Sequence, residues 1–449
     1  MKGLLWERGF SSYAQVWNDQ PPLFTAILGI CFKLFGPTIG NARALAAFFG
    51  VSLLAAITVL VNRRAGPLAA AVALFCLLAA PHVLELSLSV MLEVPAIGTA
   101  LWAFWPVFRW HQSRESAWLA LSGVLMAAAL QMKLTAAIAM PALAVEVFLG
   151  VKAIGTRDSL LTGTRVFAIW GGSIIVAYLS LLVTLGTPPG TVVWASHFSA
   201  EMLAHVGGLK QVQFPSTMCL THTDALSAAS VGLLLLSWQR QWKRLALPWI
   251  WLCTATLAHL QHRPWWPYYY LHFAVPLAWL SGEGLSEILS VHRLNSLTGA
   301  GRRLFVMPVA LCCSFLLLCW AIYAGVTRLR VEIQMIRQMA SAGDSALVAK
   351  MKAFADGTRW VYTRSLMEAF RADLPVIPEL AVLPLKRFWS GQITDEQVLL
   401  IVKSYQPEQL LLSDPLSPEM KEFVESNYAL VQQDQGYQLF VAKRLLVMK

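Results

Sequence analysis

Residues 42–61 carry a single charge, Arg43, in an otherwise largely apolar run. A helix of about 20 such residues matches the roughly 30 Å hydrocarbon core of a bilayer. Comparable runs recur at 66–80, 93–108, 117–131, 134–151, 166–185, 226–237, 245–260, 268–281 and 304–324. This recurrence predicts a mostly α, polytopic helix bundle of about ten spans. The chain is 57% hydrophobic and 13% charged, against about 25% charged in soluble domains. A water-soluble globular fold is therefore excluded for most of its length.

The charges predict how the bundle is oriented. Residues 326–449 hold 15 basic and 14 acidic side chains, and residues 1–325 hold 20 and 11. Arg63, Arg64, Arg109, Arg114, Lys152, Arg157, Arg165, Arg240, Lys243, Arg244, Arg293, Arg302 and Arg303 fall in alternate loops. The intervening loops carry Lys133, Lys210 and Arg263. Such a bias marks the first set as cytoplasmic. It accounts for the basic excess without a nucleic-acid partner. Residues 1–41, the 186–224 loop and the C-terminal part are then expected outside. The aromatic run Trp265 to Tyr270 is expected at the outer headgroup level. Six of the seven cysteines lie in apolar segments, so no disulfide framework is implied.

Residues 1–20 are too polar to span and contain no apolar signal-peptide core. Leu4-Leu5-Trp6 before Arg8-Gly9 reads as the end of a short amphipathic helix lying on the surface. Residues 23–36 are apolar but short and contain Lys33, which predicts an interfacial or re-entrant helix. From 326 the composition becomes that of a small soluble α/β domain. Helices are expected at 330–340, 394–405 and 417–426, with Thr394 as an N-cap. Strands are expected at 359–362 and 409–412, and a hairpin at 428–433 and 437–443. No Gly-rich phosphate loop occurs, so no nucleotide site is assigned. The expected division is 1–325 for the membrane part and 326–449 for an extracytoplasmic domain.

Several polar residues stand out against this background. Asp19 lies in Trp17-Asn18-Asp19-Gln20-Pro21-Pro22-Leu23, a turn stiffened by two prolines. Ionisable groups near a membrane core default to functional hypotheses. Glu93 opens a helix, where the macrodipole also tolerates an acid. Lys133 lies in a very short connection; it fits either a lysine reaching for the headgroups or a cation for a lipid phosphate. His197, Glu201 and His205 are spaced so that one helix would align them, as a metal site or as a solvated face. His262 and Arg263 suit headgroup anchoring or phosphate contact. Asp19, Glu93, Lys133, His197 and Arg263 come from five outside connections that a bundle could bring together at its outer mouth.

These pieces resemble the GT-C fold polyprenyl-phosphate-sugar glycosyltransferases, the group of protein mannosyltransferases and bacterial aminoarabinose transferases. The matching residues are Asp19-Gln20-Pro21-Pro22-Leu23, Leu34-Phe35-Gly36, Ala42-Arg43, Met91-Leu92-Glu93-Val94-Pro95, Lys133 and Pro264 to Tyr270. The resemblance implies transfer of a sugar from a polyprenyl phosphate to a lipid, glycan or protein acceptor. The reaction would take place at the outer face of a bacterial-type inner membrane. It implies Asp19 and Glu93 as the acids of the cavity, and Lys133, Arg263 and Gln20 as contacts to the donor phosphate. It also implies Asp19 and His197 as a candidate divalent-metal or structural polar site. The family pattern places a first span and an acidic pair ahead of the segment matching Met1 to Leu5. The usual catalytic aspartate is therefore expected upstream of Met1, and an N-terminally truncated enzyme or a non-catalytic homologue stays open. A transporter or flippase of a lipid-linked substrate is the alternative from another class. It predicts inverted repeats and broken midplane helices, and no repeat stands out in the sequence.

Overall fold

The computed structural model describes residues 1–154, 159–186, 196–197, 199–208, 223–260, 265–289, 303–341, 345–413, 416–434 and 436–447. The chain divides into two compact units. A helical unit comprises Arg43–Leu181 and Leu209–Arg337, and a mixed unit comprises Met1–Ala42, Leu182–Gly208 and Gln338–Lys449. The boundary expected at 325/326 is therefore not a structural one. It falls inside the continuous helix Arg303–Ser341, and the first 42 residues belong with the C-terminal segment.

All ten expected spans are helical over most of their length, but their dimensions differ. Among the described residues, Ile39–Ala65, Leu134–Lys152 and Leu161–Thr184 are long and apolar enough to cross a membrane. Leu23–Phe35, Pro67–Leu78, Ser116–Met132 and Thr223–Trp238 are apolar but shorter. A 12-residue helix such as Pro67–Leu78 rises only about 18 Å. The expected run 93–108 is broken at Ala103 into Glu93–Trp102 and Phe104–Ser113. The expected figure of about ten full spans is thus not confirmed: among the described residues, helix length and composition give three.

Within the helical unit the helix ends are tied in two groups. At one end, Arg64 pairs with Glu146 at 2.6 Å and donates to the carbonyl of Lys243. Arg63 donates to the Phe108 carbonyl at 3.2 Å, and Arg114 to that of Gly150 at 2.9 Å. Arg244 binds Glu283 and Glu287 at 3.0 and 2.6 Å. These side chains lie on five helices, so Arg63, Arg64, Arg114 and Arg244, from three of the basic loops assigned to one side by charge, do gather at one end. At the opposite end lie Glu93, Lys133 and the start of Leu271–Leu289. Arg328 there binds Asp224 at 3.1 Å. Between the ends, Gly232 and Gly284 meet backbone to backbone, leaving no room for a Cβ on either. That contact lets Thr223–Trp238 and Leu271–Leu289 approach closely.

The mixed unit contains a four-stranded sheet, β1 (Val361–Thr363), β2 (Gln409–Leu412), β3 (Tyr428–Asp434) and β4 (Tyr437–Ala442). Its order is β1-β2-β4-β3, with β1 parallel to β2 and the other pairs antiparallel. Successive residues of a strand face opposite sides of the sheet. Leu411 of β2 enters a core with Val361, Met351 and Leu439, while Leu410 and Leu412 enter one with Val398, Val402 and Val424. Both faces are covered, which explains why β2 reads Gln-Leu-Leu-Leu without polar alternation. Thr394 caps Asp395–Tyr405 in a capping box with Gln397, and Ser417 caps Pro418–Asn427.

The N-terminal helix, Lys2–Glu7, departs from the surface position expected for it. Leu4 and Leu5 are fully buried, and Leu5 and Val16 pack into the Leu411 face of the sheet core. The apolar pair serves a protein core here rather than a lipid surface. The following helix, Leu23–Phe35, turns Phe24, Leu28 and Phe32 inward and leaves Ile30, Leu34 and Phe35 exposed. Its free apolar stripe fits the interfacial helix expected there.

Candidate functional site

Lys133 follows directly on the Ser116–Met132 helix, in an extended conformation with φ −159°. A 3-10 turn, Leu134–Ala139, begins immediately after it. This break in helical geometry directs the side chain across to the first residue of Glu93–Trp102. There its ammonium contacts the Glu93 carboxylate. The rings of Tyr268 and Tyr269 lie 4.5 and 5.7 Å from the same nitrogen, at cation–π distance. Both rings come from the Pro267–Tyr270 turn, whose proline fixes its first position. Glu93 and Lys133 are buried. Burial pushes the Lys133 ammonium down to about 7, and the adjoining carboxylate acts in the opposite direction.

The aromatic run beside this pair is folded onto the bundle. Trp265, Tyr269 and Tyr270 are buried, and Trp266 is exposed. His259 packs against the Tyr269 ring at 4.7 Å and the Trp265 ring at 5.4 Å. The ammonium is thus enclosed by one carboxylate and by ring faces. An ammonium has three donors and no acceptor. A phosphate oxyanion can take the place of the carboxylate on it without any change of protein charge at the lysine.

The mixed unit holds the second polar cluster, around the turn at 17–23. Asp19 is buried and accepts from the ammonium of Lys386. Lys2 lies 3.9 Å from the same carboxylate and donates to Asn18 at 2.8 Å. The Gln20 side chain donates to Asp19 at 3.0 Å. Trp17 donates its indole proton to Gln392 at 2.6 Å, and the Arg387 guanidinium lies 5.6 Å from its ring centre. The turn is therefore clasped by the Leu385–Trp389 helix and the residues after it. Burial, and then Lys2, push the Lys386 ammonium down to about 8.

The structure brings two of the five expected outer-mouth residues, Glu93 and Lys133, into direct contact. Asp19 and His197 belong to the mixed unit, and Arg263 lies outside the described residues. His197, Glu201 and His205 do not share one regular helix. The helix Ala200–Gly208 carries Glu201 and His205, and His197 precedes it. His205 instead stacks on Trp389 at 4.5 Å. The donor set at Asp19 does not fit a divalent ion, since two ammonium groups already face that carboxylate. Among the described residues no group of three or more His, Cys, Asp or Glu side chains is arranged to hold a metal. Lys386 and the ring faces over Lys133 were not legible as site residues, although Tyr268 and Tyr269 lie inside the motif singled out by sequence.

In an apolar helical bundle, a buried ammonium–carboxylate pair marks a candidate functional site. Residues 19–183 match the family described as dolichyl-phosphate-mannose-protein mannosyltransferase. ArnT from Cupriavidus metallidurans bound to undecaprenyl phosphate shares the fold with a TM-score of 0.63 at 14% identity, over 99% of this chain and 92% of that one. The same protein in its apo state gives 0.62 at 15% identity, over 96% and 89%. Comparison with curated protein sequences finds no match. The resemblance drawn from the sequence thus holds: the chain has the GT-C fold of polyprenyl-phosphate-sugar glycosyltransferases.

Proposed function

We propose that this chain is an integral membrane glycosyltransferase that moves a sugar from a polyprenyl-phosphate donor to an acceptor hydroxyl at the extracytoplasmic face. The observation that carries the reading is the buried Lys133–Glu93 pair under Tyr268, at the end of the bundle opposite its basic loops. A donor phosphate entering there competes with Glu93 for the Lys133 ammonium. The ammonium then stabilises the charge that develops on the departing phosphate oxygen, where a fixed cation in a dry site has its greatest effect. The acceptor oxygen attacks the anomeric carbon as the bond to the lipid phosphate breaks. Its proton passes to a carboxylate, and Glu93, released from Lys133, is the assigned acceptor of that proton. By the sequence resemblance alone, Asp19 is proposed as a supporting acid, and Gln20 and Arg263 as donor-phosphate contacts. The acceptor is a lipid, glycan or protein hydroxyl.

The test uses purified full-length protein in nanodiscs with a polyprenyl-phosphate sugar. Replacing Lys133 with Ala is expected to lower kcat/KM by about 100-fold or more, the scale on which single oxyanion-stabilising groups act. Full turnover by Lys133→Ala would sink the assignment. Movement of donor across the bilayer with no sugar transferred would replace it with transport.

A further inference from the structure

The opposite, basic end of the helical unit contains a cavity of about 310 Å³. Its walls include Arg63 and Arg64 from the end of Ile39–Ala65, Phe108 and His111 from Phe104–Ser113, Glu146 from Met140–Lys152 and Lys243 from Trp242–Leu260. Three cations thus face one carboxylate. That carboxylate is committed to Arg64 at 2.6 Å, and His111 bonds the Glu146 carbonyl at 3.0 Å. Arg63 uses one nitrogen on the Phe108 carbonyl. The Lys243 backbone carbonyl accepts from Arg64, while its side chain is exposed. The groups behind the wall do not cancel the excess. Glu283 acts on Arg64 but is bound by Arg244, as is Glu287. Arg109 adds a further positive charge beside Arg63.

Positive loops at a cytoplasmic face account for basic residues at this end. They do not require that those residues converge from separate helices on one hollow. The walls are also amphiphilic, with the Phe108 ring under the Arg64 guanidinium at 5.4 Å. Basic pockets between membrane helices on the cytoplasmic side suit phosphate headgroups. We propose that this cavity binds a phosphate group, carried by an anionic phospholipid of the inner leaflet or present as the free ion. The site is separate from the Lys133–Glu93 pair, and only its placement at the inner leaflet rests on the orientation adopted there.

The experiment follows the melting of lipid-stripped full-length protein in neutral detergent. The probes are dihexanoyl phosphatidylglycerol, dihexanoyl phosphatidylcholine and inorganic phosphate. Phosphatidylglycerol is expected to raise Tm saturably. Lys243→Gln, which alters an exposed side chain, is expected to weaken its half-saturation at least threefold, and Arg63→Gln with Lys243→Gln at least tenfold. The same saturable shift with inorganic phosphate identifies the free ion as sufficient, and a shift with phosphatidylglycerol alone identifies the lipid headgroup. Equal half-saturation by phosphatidylcholine and phosphatidylglycerol overturns the proposal. So does a Lys243→Gln protein that responds as the wild type does.

Discussion

Lys386 places its ammonium on the carboxylate of Asp19, 367 residues earlier in the chain. The acid at the centre of the first recognisable motif is thus held by the C-terminal segment. Replacing Lys386 with Met leaves Lys2, at 3.9 Å, as the ammonium nearest Asp19. Because Lys386 is only partly buried, its worth to the fold is read as a coupling energy: Asp19→Asn and Lys386→Met are expected to be non-additive. A double-mutant cycle on Tm or denaturant midpoint measures it, and additive effects would show that the two side chains do not interact.

The same lysine sets a dependence on pH. It gives up its proton at about 8 in the folded chain against 10.5 ordinarily. Between those values the unfolded chain binds more protons, so this group's contribution to stability rises with pH. We expect the slope of Tm between pH 8 and 10 to be more positive in the wild type than in Lys386→Met. The opposite ordering would mean that the ion pair outweighs the burial.

Donor binding should carry its own pH signature. Burial brings Lys133 down to about 7, and only its protonated form attracts a phosphate. The KM for donor should therefore rise as pH increases through 7. Lys133→Arg should abolish that rise whatever its absolute rate, because a guanidinium stays charged. A wild-type KM that stays flat from pH 6 to 9 would remove Lys133 from the phosphate clamp.

Glu93 separates structural from chemical roles. Glu93→Gln keeps the side-chain size and leaves Lys133 buried without its counter-charge. We expect a lower Tm, with turnover falling further than the change in donor KM. If the variant turns over at the wild-type rate once folded, the proton acceptor lies elsewhere.

Gly232 and Gly284 give a packing test that leaves the Lys133–Glu93 pair untouched. A Cβ on Gly232 would meet the Leu280 carbonyl and the Gly284 backbone, neither of which is a flexible side-chain end. Gly232→Ala should therefore cost at least the roughly 1–3 kcal/mol typical of overpacking. Thermal unfolding in detergent reads this directly, and an unchanged Tm would mean that the two helices can separate without loss.

Local chemistry made much of this architecture legible. The strand Gln409–Leu412 and the capped helices after Thr394 and Ser417 declare themselves through short-range patterns. So do Glu93 and Lys133, because charges are rare in apolar surroundings. Their pairing with each other was not readable, since it depends on the extended residue that breaks the chain after Met132. Lys386 gave no signal either, because nothing in Pro384-Leu385-Lys386-Arg387 says that it will reach Asp19. Leu4 and Leu5 misled for a related reason. A short apolar pair looks the same whether lipid or a distant sheet covers it.

Under the proposed orientation, the basic residues at the Arg64 end of the helical unit have two duties at once. The charges that would tell an insertion machinery which way to thread the chain also fasten one helix terminus to the next, with Arg64 alone joining three helices through Glu146 and Lys243. Topogenesis and tertiary assembly therefore draw on a shared set of side chains. Neutralising Arg64 would leave a chain less certain of its direction and, once inserted, less able to close its bundle.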